Sequence, residues 1–478
     1  MTFAVGIDLG TSSMKGVVVD GDGRVVARAR AGYATSRPQP EAAEQRPADW
    51  ERALAKVVST LAAKVPARRW DGVGLSGMIP SLVLHDGHGE VLGPALTWED
   101  ARAERHAVAA RRRLGARRLY GATGQWVDGR YALPMWAWTR ERRPELADRA
   151  THVLGAKDHL LRWVTGELAT DPSTATGFGC FSLATGRWDG EIASAFGLDE
   201  SMLPTIVPSA ETFAHGREAA RALGVPRGLP IAVGAADSMV SADVLGIVAS
   251  GEIGYIAGTS TVILAFGDRF EPDPRHRYLV SPASRPGRFA REMDLLATGS
   301  AVAWCASLLG LERGGASLVS LAERARDDTA LTFLPYVAPG EQGALWDPDV
   351  RGAIVGLTLR DGPAEIARAL LDGVVLESRR CVDVLRSRGA SATIRATGTL
   401  VRSAWFRQRL ADATGCEVAL SNVPGSAAAL GAAAVVIPAI GVVATTGAPT
   451  VPNAAESRVW DERWRLHEDA RSRMSRPQ

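Results

Sequence analysis

The sequence predicts an α/β protein built from two related halves, and three observations carry that expectation. Apolar strand patterns alternate with helical ones from the first residues onward, the pattern of sheets covered by helices. The chain is 478 residues long, which at about 150 residues per domain asks for more than one domain. A Gly-Thr-Ser turn between two apolar strands stands at Gly10, Thr11 and Ser12 and again at Gly258, Thr259 and Ser260, half a chain apart. One such turn is common, but one near the start of each half suggests a duplicated unit. The boundary then falls around Gly246 to Gly251, with units 1–248 and 249–478.

The first unit opens with FAVGIDLG, SSMKGVVVD and RVVARARA, separated by the Gly-Thr-Ser turn and by GDG, and reads as three short antiparallel strands. Between Asp49 and Val65, Trp50, Leu54, Val57, Val58 and Leu61 recur at helical spacing, with Pro47 just before the start. GVGLSGMIPSLVLHD returns to strand. From Ala101 to Leu119 the arginine-laden run reads as the solvated face of a helix. LPIAVGAADSMVSADVLG is a buried strand running into a small-residue helix, and GEIGYIAGTSTVILAFGD repeats the strand, turn, strand pattern of the N-terminus. Ala427 to Val451 carries no charge, but it is rich in Ala and Gly and broken by Pro438. It predicts a packed helix ending near Pro438 rather than a membrane span.

Composition narrows the class of function. Hydrophobic residues make up 46% and charged residues 23% of the chain, a globular balance that can bury a sizeable core. The formal net charge is +2, without a block of like charges, so neither nucleic acid nor a membrane is expected as partner. Basic residues are almost all arginine; Lys15, Lys56, Lys64 and Lys157 are the lysines, so a lysine inside a motif stands out. Cys180, Cys305, Cys381 and Cys416 are scattered singly, with neither a disulfide framework nor a zinc spacing. The N-terminus lacks a basic start and an uninterrupted apolar run, which points away from a secretory leader and towards a reducing cytoplasm.

A Gly followed by two hydroxyl residues is the composition a phosphate needs, because backbone N–H groups and hydroxyls can converge on its oxygens. Either turn alone could equally be an ordinary hairpin; two facing one cleft could hold one nucleotide. Asp8 precedes the first turn and points from the strand end towards the same cleft, where a carboxylate can orient a hydrated Mg²⁺. Lys15 is either the nearby fixed positive charge or a solvated strand lysine. Asp237, alone among Gly, Ala and Met in VGAADSMVSA, is costly to bury without a partner. It is either a general base or the N-cap of the following helix.

IDLGTSSMKGVVVD, SRPQP, EQRPADW, WEDAR at Trp98 to Arg102, KDHLLRWVTGE, the Asp of VGAADS, the second GTS, FLPYVAPGE, WDPDVRG and GLTLRDGPAEIARALLDGV occur in order along nearly the whole chain. In these motifs the chain resembles the FGGY carbohydrate kinases, the xylulokinase-like branch especially. The resemblance implies two ribonuclease-H-like domains of the actin/hexokinase type closing on ATP and a sugar, and leaves a homodimer open. It implies Asp237 as catalytic base and Asp8 as the residue facing Mg·ATP. Gly10, Thr11, Ser12, Lys15, Gly258, Thr259 and Ser260 would line the phosphate path. Gly398, Thr399, Arg402 and Ser403 would lie by the nucleotide.

The departures from the family concern the substrate. Where xylulokinases carry a Met-His pair that contacts the sugar, this chain has Met78, Ile79 and Pro80, and Pro80 cannot donate the lost hydrogen bond. Ser238 follows the catalytic position where Asn or Gln is usual. The triple glycine near adenosine reads Gly398, Thr399, Leu400, which predicts two new side chains beside the nucleotide. Glu341, Trp346 and Asp347 are kept in APGEQGALWDP, but the Arg and Pro usual after the Glu are lost. Trp98 is expected at the substrate site, and polar selection is expected to shift to Asp100, Arg102 and Ser238, unless Asp100 and Arg102 pair with each other and only brace their loop. The expected activity is ATP-dependent phosphorylation of a small sugar, most naturally a ketopentose. The alternatives are a kinase for another sugar, a polyol or a sugar acid, and a catalytically weak sugar-binding regulator. A chaperone-type or filament-forming ATPase would share the fold but not WEDAR or the GLTLRD signature.

Overall fold

The computed structural model describes residues 2–216, 223–247, 251–312, 314–326, 330–338, 341, 343–347, 349–423, 425–437 and 445–474. Its N-terminal strands β1 (Phe3–Leu9), β2 (Ser13–Asp20) and β3 (Val25–Gly32) pair antiparallel, with Asp8 opposite Lys15 and Leu9 opposite Met14 across the first Gly-Thr-Ser turn. Helix α1 (Pro47–Ala62), with proline in its first turn, buries Trp50, Leu54, Val57, Val58 and Leu61 and packs on β2 and β3. Strand β4 (Gly72–Gly77) lies parallel to β1, and β5 (Pro230–Ala236) lies parallel to β4. All of β1 is buried, because helices cover both faces of this sheet, and its sequence is accordingly apolar throughout rather than alternating.

The second sheet repeats the first. Strands β6 (Ile253–Ala257), β7 (Thr261–Gly267) and β8 (Phe289–Leu295) are antiparallel, while β9 (Thr393–Gly398) and β10 (Glu417–Asn422) run parallel to β6. Numbered within its own unit, each sheet has the strand order 3-2-1-4-5, the first flanked by one short edge strand and the second by one at each edge. The duplication suggested by the two turns is therefore a duplication of topology. Residues 248–250, the centre of the expected join, lie outside the described residues.

One expectation about helices is revised. The charged run after Ala101 forms two helices, Glu104–Leu114 and Ala116–Thr123, broken at Gly115, whose φ of 83° suits glycine. Arg112, Arg113 and Arg117 are solvated, but Arg111 binds Glu104 and lies over the Trp126 ring. The alanine-rich segment forms helix α2's partner: α2 (Asp237–Val244) crosses α3 (Ala427–Val436), and α3 also packs on β1 and β4 of the first sheet. Pro438 lies outside the described residues. Among the described residues no helix is long and apolar enough to cross a membrane.

Glycines make this seat. A Cβ on Gly6 would fall 1.7 Å from the Ala429 carbonyl oxygen, and one on Gly74 would fall 1.9 Å from that of Ala432. On α3 itself, a Cβ at Gly431 would fall 2.1 Å from the Val240 carbonyl of α2. The helix starts in the lining of the cleft described next, so its placement sets the geometry there.

Candidate active site

Both Gly-Thr-Ser turns face one cavity of about 690 Å³ between the two sheets. Asp8 closes its floor at the end of β1. Its Oδ2 accepts from Lys15 Nζ at 3.4 Å and from Ser426 Oγ at 3.1 Å, while Oδ1 is buried without a hydrogen-bond partner. Burial pushes the Asp8 carboxyl upward, opposed by Lys15 and Ser426. Ser426 also caps α3, accepting from the Ala429 N–H, and Gly425, Ala427 and Ala428 line the cavity. The positive end of α3 thus opens onto the site, as a helix N-terminus does in many phosphate sites.

Asp237 stands where β5 runs into α2. It is the first helical residue, not the cap, which is Ala236. Its Oδ1 accepts from the Ser238 N–H at 2.8 Å. Burial first, and the Asp8 charge second, push its carboxyl up to about 7. A carboxylate with that affinity, on the wall of a cavity, can take a proton from a hydroxyl near neutral pH.

Three of the basic groups lining the cavity stand near the turns. Lys15, Arg30 and Arg402 all line it, and Arg30 donates to Ser13 Oγ at 3.0 Å. The first turn is held by its neighbours: Trp98 Nε1 donates to Thr11 Oγ1 at 3.0 Å, Gln45 Nε2 to the Thr11 carbonyl at 2.7 Å, and the Tyr33 hydroxyl to the Gly10 carbonyl. The second turn is held by the helix Gly299–Leu308. Ser300 N–H donates to the Thr259 carbonyl at 3.0 Å, and a Cβ at Gly299 would meet the Gly258 carbonyl at 2.2 Å.

The loop after β9 keeps the one glycine it needs. Gly398 has φ of 112°, and a Cβ there would fall 1.9 Å from the Ala257 carbonyl. Thr399 lines the cavity, but Leu400 is buried in the core of the second unit, so one new side chain, not two, faces the cleft. Ser403 is not among the lining residues; it caps the helix Ala404–Thr414 by accepting from the Phe406 N–H at 3.2 Å.

Met78, Ile79, Pro80, Trp98 and Ser238 line the same cavity, with Trp98 beside the first turn. Asp100 and Arg102 do not. Asp100 is 1% exposed and accepts from the Ala43 N–H at 2.9 Å and from Arg102, whose Nη2 also reaches Glu44 at 2.8 Å. The guanidinium lies 4.2 Å over the Trp138 ring. The pair is a buried brace for the loop carrying Trp98 and for the strand carrying Gln45, so their expected substrate contact is corrected. Truncating one member of such a brace leaves a buried charge short of a partner. Arg102→Ala is therefore expected to cost about 3 kcal/mol in denaturant unfolding while acceptor KM stays within a few-fold. A large rise in KM at unchanged stability would return Arg102 to the substrate.

Sequence reading missed Arg30, Gln125, Arg130, Tyr131, Glu292 and Asp294, all of which line the cavity. Gln125 is held rigidly, donating to the Val280 carbonyl at 2.7 Å and accepting from the Tyr131 hydroxyl at 3.0 Å. Strand alternation could have put Glu292 and Asp294 on one face, though not have said that the face is a cavity wall.

Residues 3–244 match the N-terminal domain of the FGGY family of carbohydrate kinases, and residues 254–439 match its C-terminal domain. The chain belongs to the FGGY family of carbohydrate kinases. This FGGY kinase is 30% identical to the xylulose kinase of Escherichia coli (strain K12), over 90% of this chain and 88% of the other. It is 29% identical to the gluconokinase of Bacillus subtilis (strain 168), over 87% and 84% respectively. Among solved structures, a xyloylose kinase from Brucella ovis superposes with a TM-score of 0.90 at 27% identity, covering 98% of this chain and 99% of that one. The two units form the sugar-kinase fold, and the chain is an ATP-dependent sugar kinase.

Proposed function

We propose that this FGGY kinase transfers the γ-phosphoryl group of ATP to a hydroxyl of a small sugar of ketopentose size, working in the cytoplasm. The observation that carries the reading is the place of Asp237, in one cavity with the two phosphate-type turns and the acceptor wall. Asp237 takes the proton of the acceptor hydroxyl as that oxygen bonds to the γ-phosphorus, and ADP leaves with the bridging oxygen. The N–H groups and hydroxyls of Gly10 to Ser12 and Gly258 to Ser260, the start of α3, and Lys15, Arg30 and Arg402 hold the phosphate charge. The four cysteines are free and buried, which suits a reducing compartment.

Among the described residues no cluster of three or more His, Cys, Asp or Glu side chains is arranged to hold a metal. Mg²⁺ does not require one, since it is usually held by one or two carboxylates together with substrate phosphates and water. The partnerless Oδ1 of Asp8, buried at the cavity floor, fits that role. When bound, the ion would neutralise charge on the phosphates.

The test is a coupled ADP-release screen over ketoses, aldoses, polyols and sugar acids. Turnover above the acceptor-free rate with at least one of them is expected, and D-xylulose is expected to be a poor acceptor because Pro80 replaces a donor. Efficient D-xylulose turnover, with the lowest KM of the panel, would show that Met78 to Pro80 do not select the substrate. No turnover with any acceptor would overturn the kinase assignment.

A further inference from the structure

Charge is segregated along the cavity. The lining bases Lys15, Arg30 and Arg402 stand with the phosphate turns, whereas the wall beyond Asp237 carries two further carboxylates, Glu292 and Asp294. Both sit on β8, two residues apart, so strand alternation turns them to the same face. That face is the cavity wall; Met293 and Leu295, on the other face, belong to the core of the second unit. Their partners across the sheet are apolar: Val262 lies opposite Asp294, and Leu264 and Leu279 lie opposite Glu292.

The groups around the pair are few. Ser238 and Ser281 lie beside Glu292 as hydroxyl donors. Burial pushes the Glu292 carboxyl up, and burial first, then the charges of Glu292, Asp237 and Glu341, push the Asp294 carboxyl well up, opposed by Arg130. Arg130 lies 3.8 Å from Asp128, so its charge is shared. Near Asp237 the acceptor end therefore holds three carboxylates against one guanidinium that is already engaged. Burial and neighbouring carboxyls thus disfavour negative charge at this wall, which weighs against an anionic acceptor, while neighbouring hydroxyls of a neutral acceptor can each donate to a carboxyl oxygen.

We propose that Glu292 and Asp294 select the acceptor, accepting hydrogen bonds from hydroxyls of an uncharged polyhydroxy substrate and excluding sugar acids. The inference rests on the kinase reading and narrows its substrate class. Overall similarity cannot make this choice, since a xylulose kinase and a gluconokinase lie at 30% and 29% identity. A site that hydrogen-bonds a particular hydroxyl can discriminate by orders of magnitude through that contact, and a wall that disfavours negative charge adds to the discrimination.

The test uses matched pairs that differ only at one terminus, the polyol against its sugar acid, such as D-glucitol with D-gluconate and D-arabinitol with D-arabinonate, alongside the neutral ketoses. Direct binding by calorimetry accompanies ADP release, so the selection is read even for acceptors that do not turn over. Each acid is expected to bind at least about 100-fold more weakly than the best neutral acceptor. Asp294→Asn and Glu292→Gln should raise acceptor Kd and KM about 10-fold or more, leave KM for ATP within a few-fold, and narrow the gap between acid and neutral partner. Melting temperatures of both variants near that of the wild type would show that folding is intact; if either is lowered, Asp294→Glu, which keeps the carboxyl group, should keep the preference for neutral acceptors. Tight binding of a sugar acid by the wild type, or variants with unchanged acceptor affinity, would overturn the selection while leaving kinase activity in place. Absence of turnover with every acceptor, with neutral sugars still bound, would overturn the kinase reading instead.

Discussion

Asp237→Asn is expected to lower turnover about 10²- to 10⁴-fold while acceptor and ATP affinities stay within a few-fold, the effect of removing a positioned base. The amide keeps the shape and can still accept from the Ser238 N–H, so only the capacity to take a proton is lost. The wild-type pH profile gives an independent reading. Burial and the Asp8 charge push the Asp237 carboxyl up to about 7, and a base works only when ionised. In the free enzyme kcat/KM should therefore rise with pH through about 7 and level above it, and the variant should lack that limb. Stability should move the other way. Because the folded carboxyl binds its proton more tightly than the unfolded one, its contribution is present below the unfolded pKa of 3.8 and is lost as pH rises through about 7. At pH 8 the variant should melt above the wild type, since it no longer carries a charge held against burial. Near-normal turnover of the variant, or a pH limb that survives in it, would assign the base elsewhere.

What the sequence made legible here was local. The hairpins, the two turns and Asp8 could be read because strand, glycine turn and carboxylate are contiguous, and the ordered motifs carried the family and its two-unit fold. Asp237 could be read because a lone acid among small apolar residues is conspicuous. Contacts made across the chain were not legible. Ser426 reaches Asp8 over a separation of 418 residues, and nothing in SAAALGAAAVV says that its small side chains serve close backbone approach to the first sheet. Asp100 and Arg102 have the composition of a substrate clamp and of a brace alike. Only burial, with Ala43 and Glu44 closing around them, separates the two. Glu292 and Asp294 alternate with apolar residues as a solvent-facing strand would, so their sequence hides that the open side is a cleft.

Gly6→Ala is expected to be as damaging as a change at the site, although the added group is one methyl. Its Cβ would stand 1.7 Å from the Ala429 carbonyl oxygen and 2.7 Å from the Ala433 nitrogen, both backbone atoms of α3. No side-chain rotation relieves such a contact, so the helix must move or the strand must bend. Overpacking of this kind costs about 3 kcal/mol in a well-packed interior. The consequence for function follows from what α3 joins. Its N-cap Ser426 holds Asp8, and Gly431 along the helix bears on Val240 of α2, the helix that begins with Asp237. A shift of α3 by about an ångström displaces both carboxylates relative to the turns, and misplacement on that scale costs roughly 10²-fold in rate. Gly121→Ala is the control, since a Cβ there meets nothing within 4 Å and alanine favours the helix it occupies by about 1 kcal/mol. It should melt at or above the wild type with full turnover. Thermal unfolding and turnover of the folded fraction, measured on both variants, decide the matter: Gly6→Ala with wild-type melting and wild-type rate would mean that α3 does not rest on β1 and does not position the site.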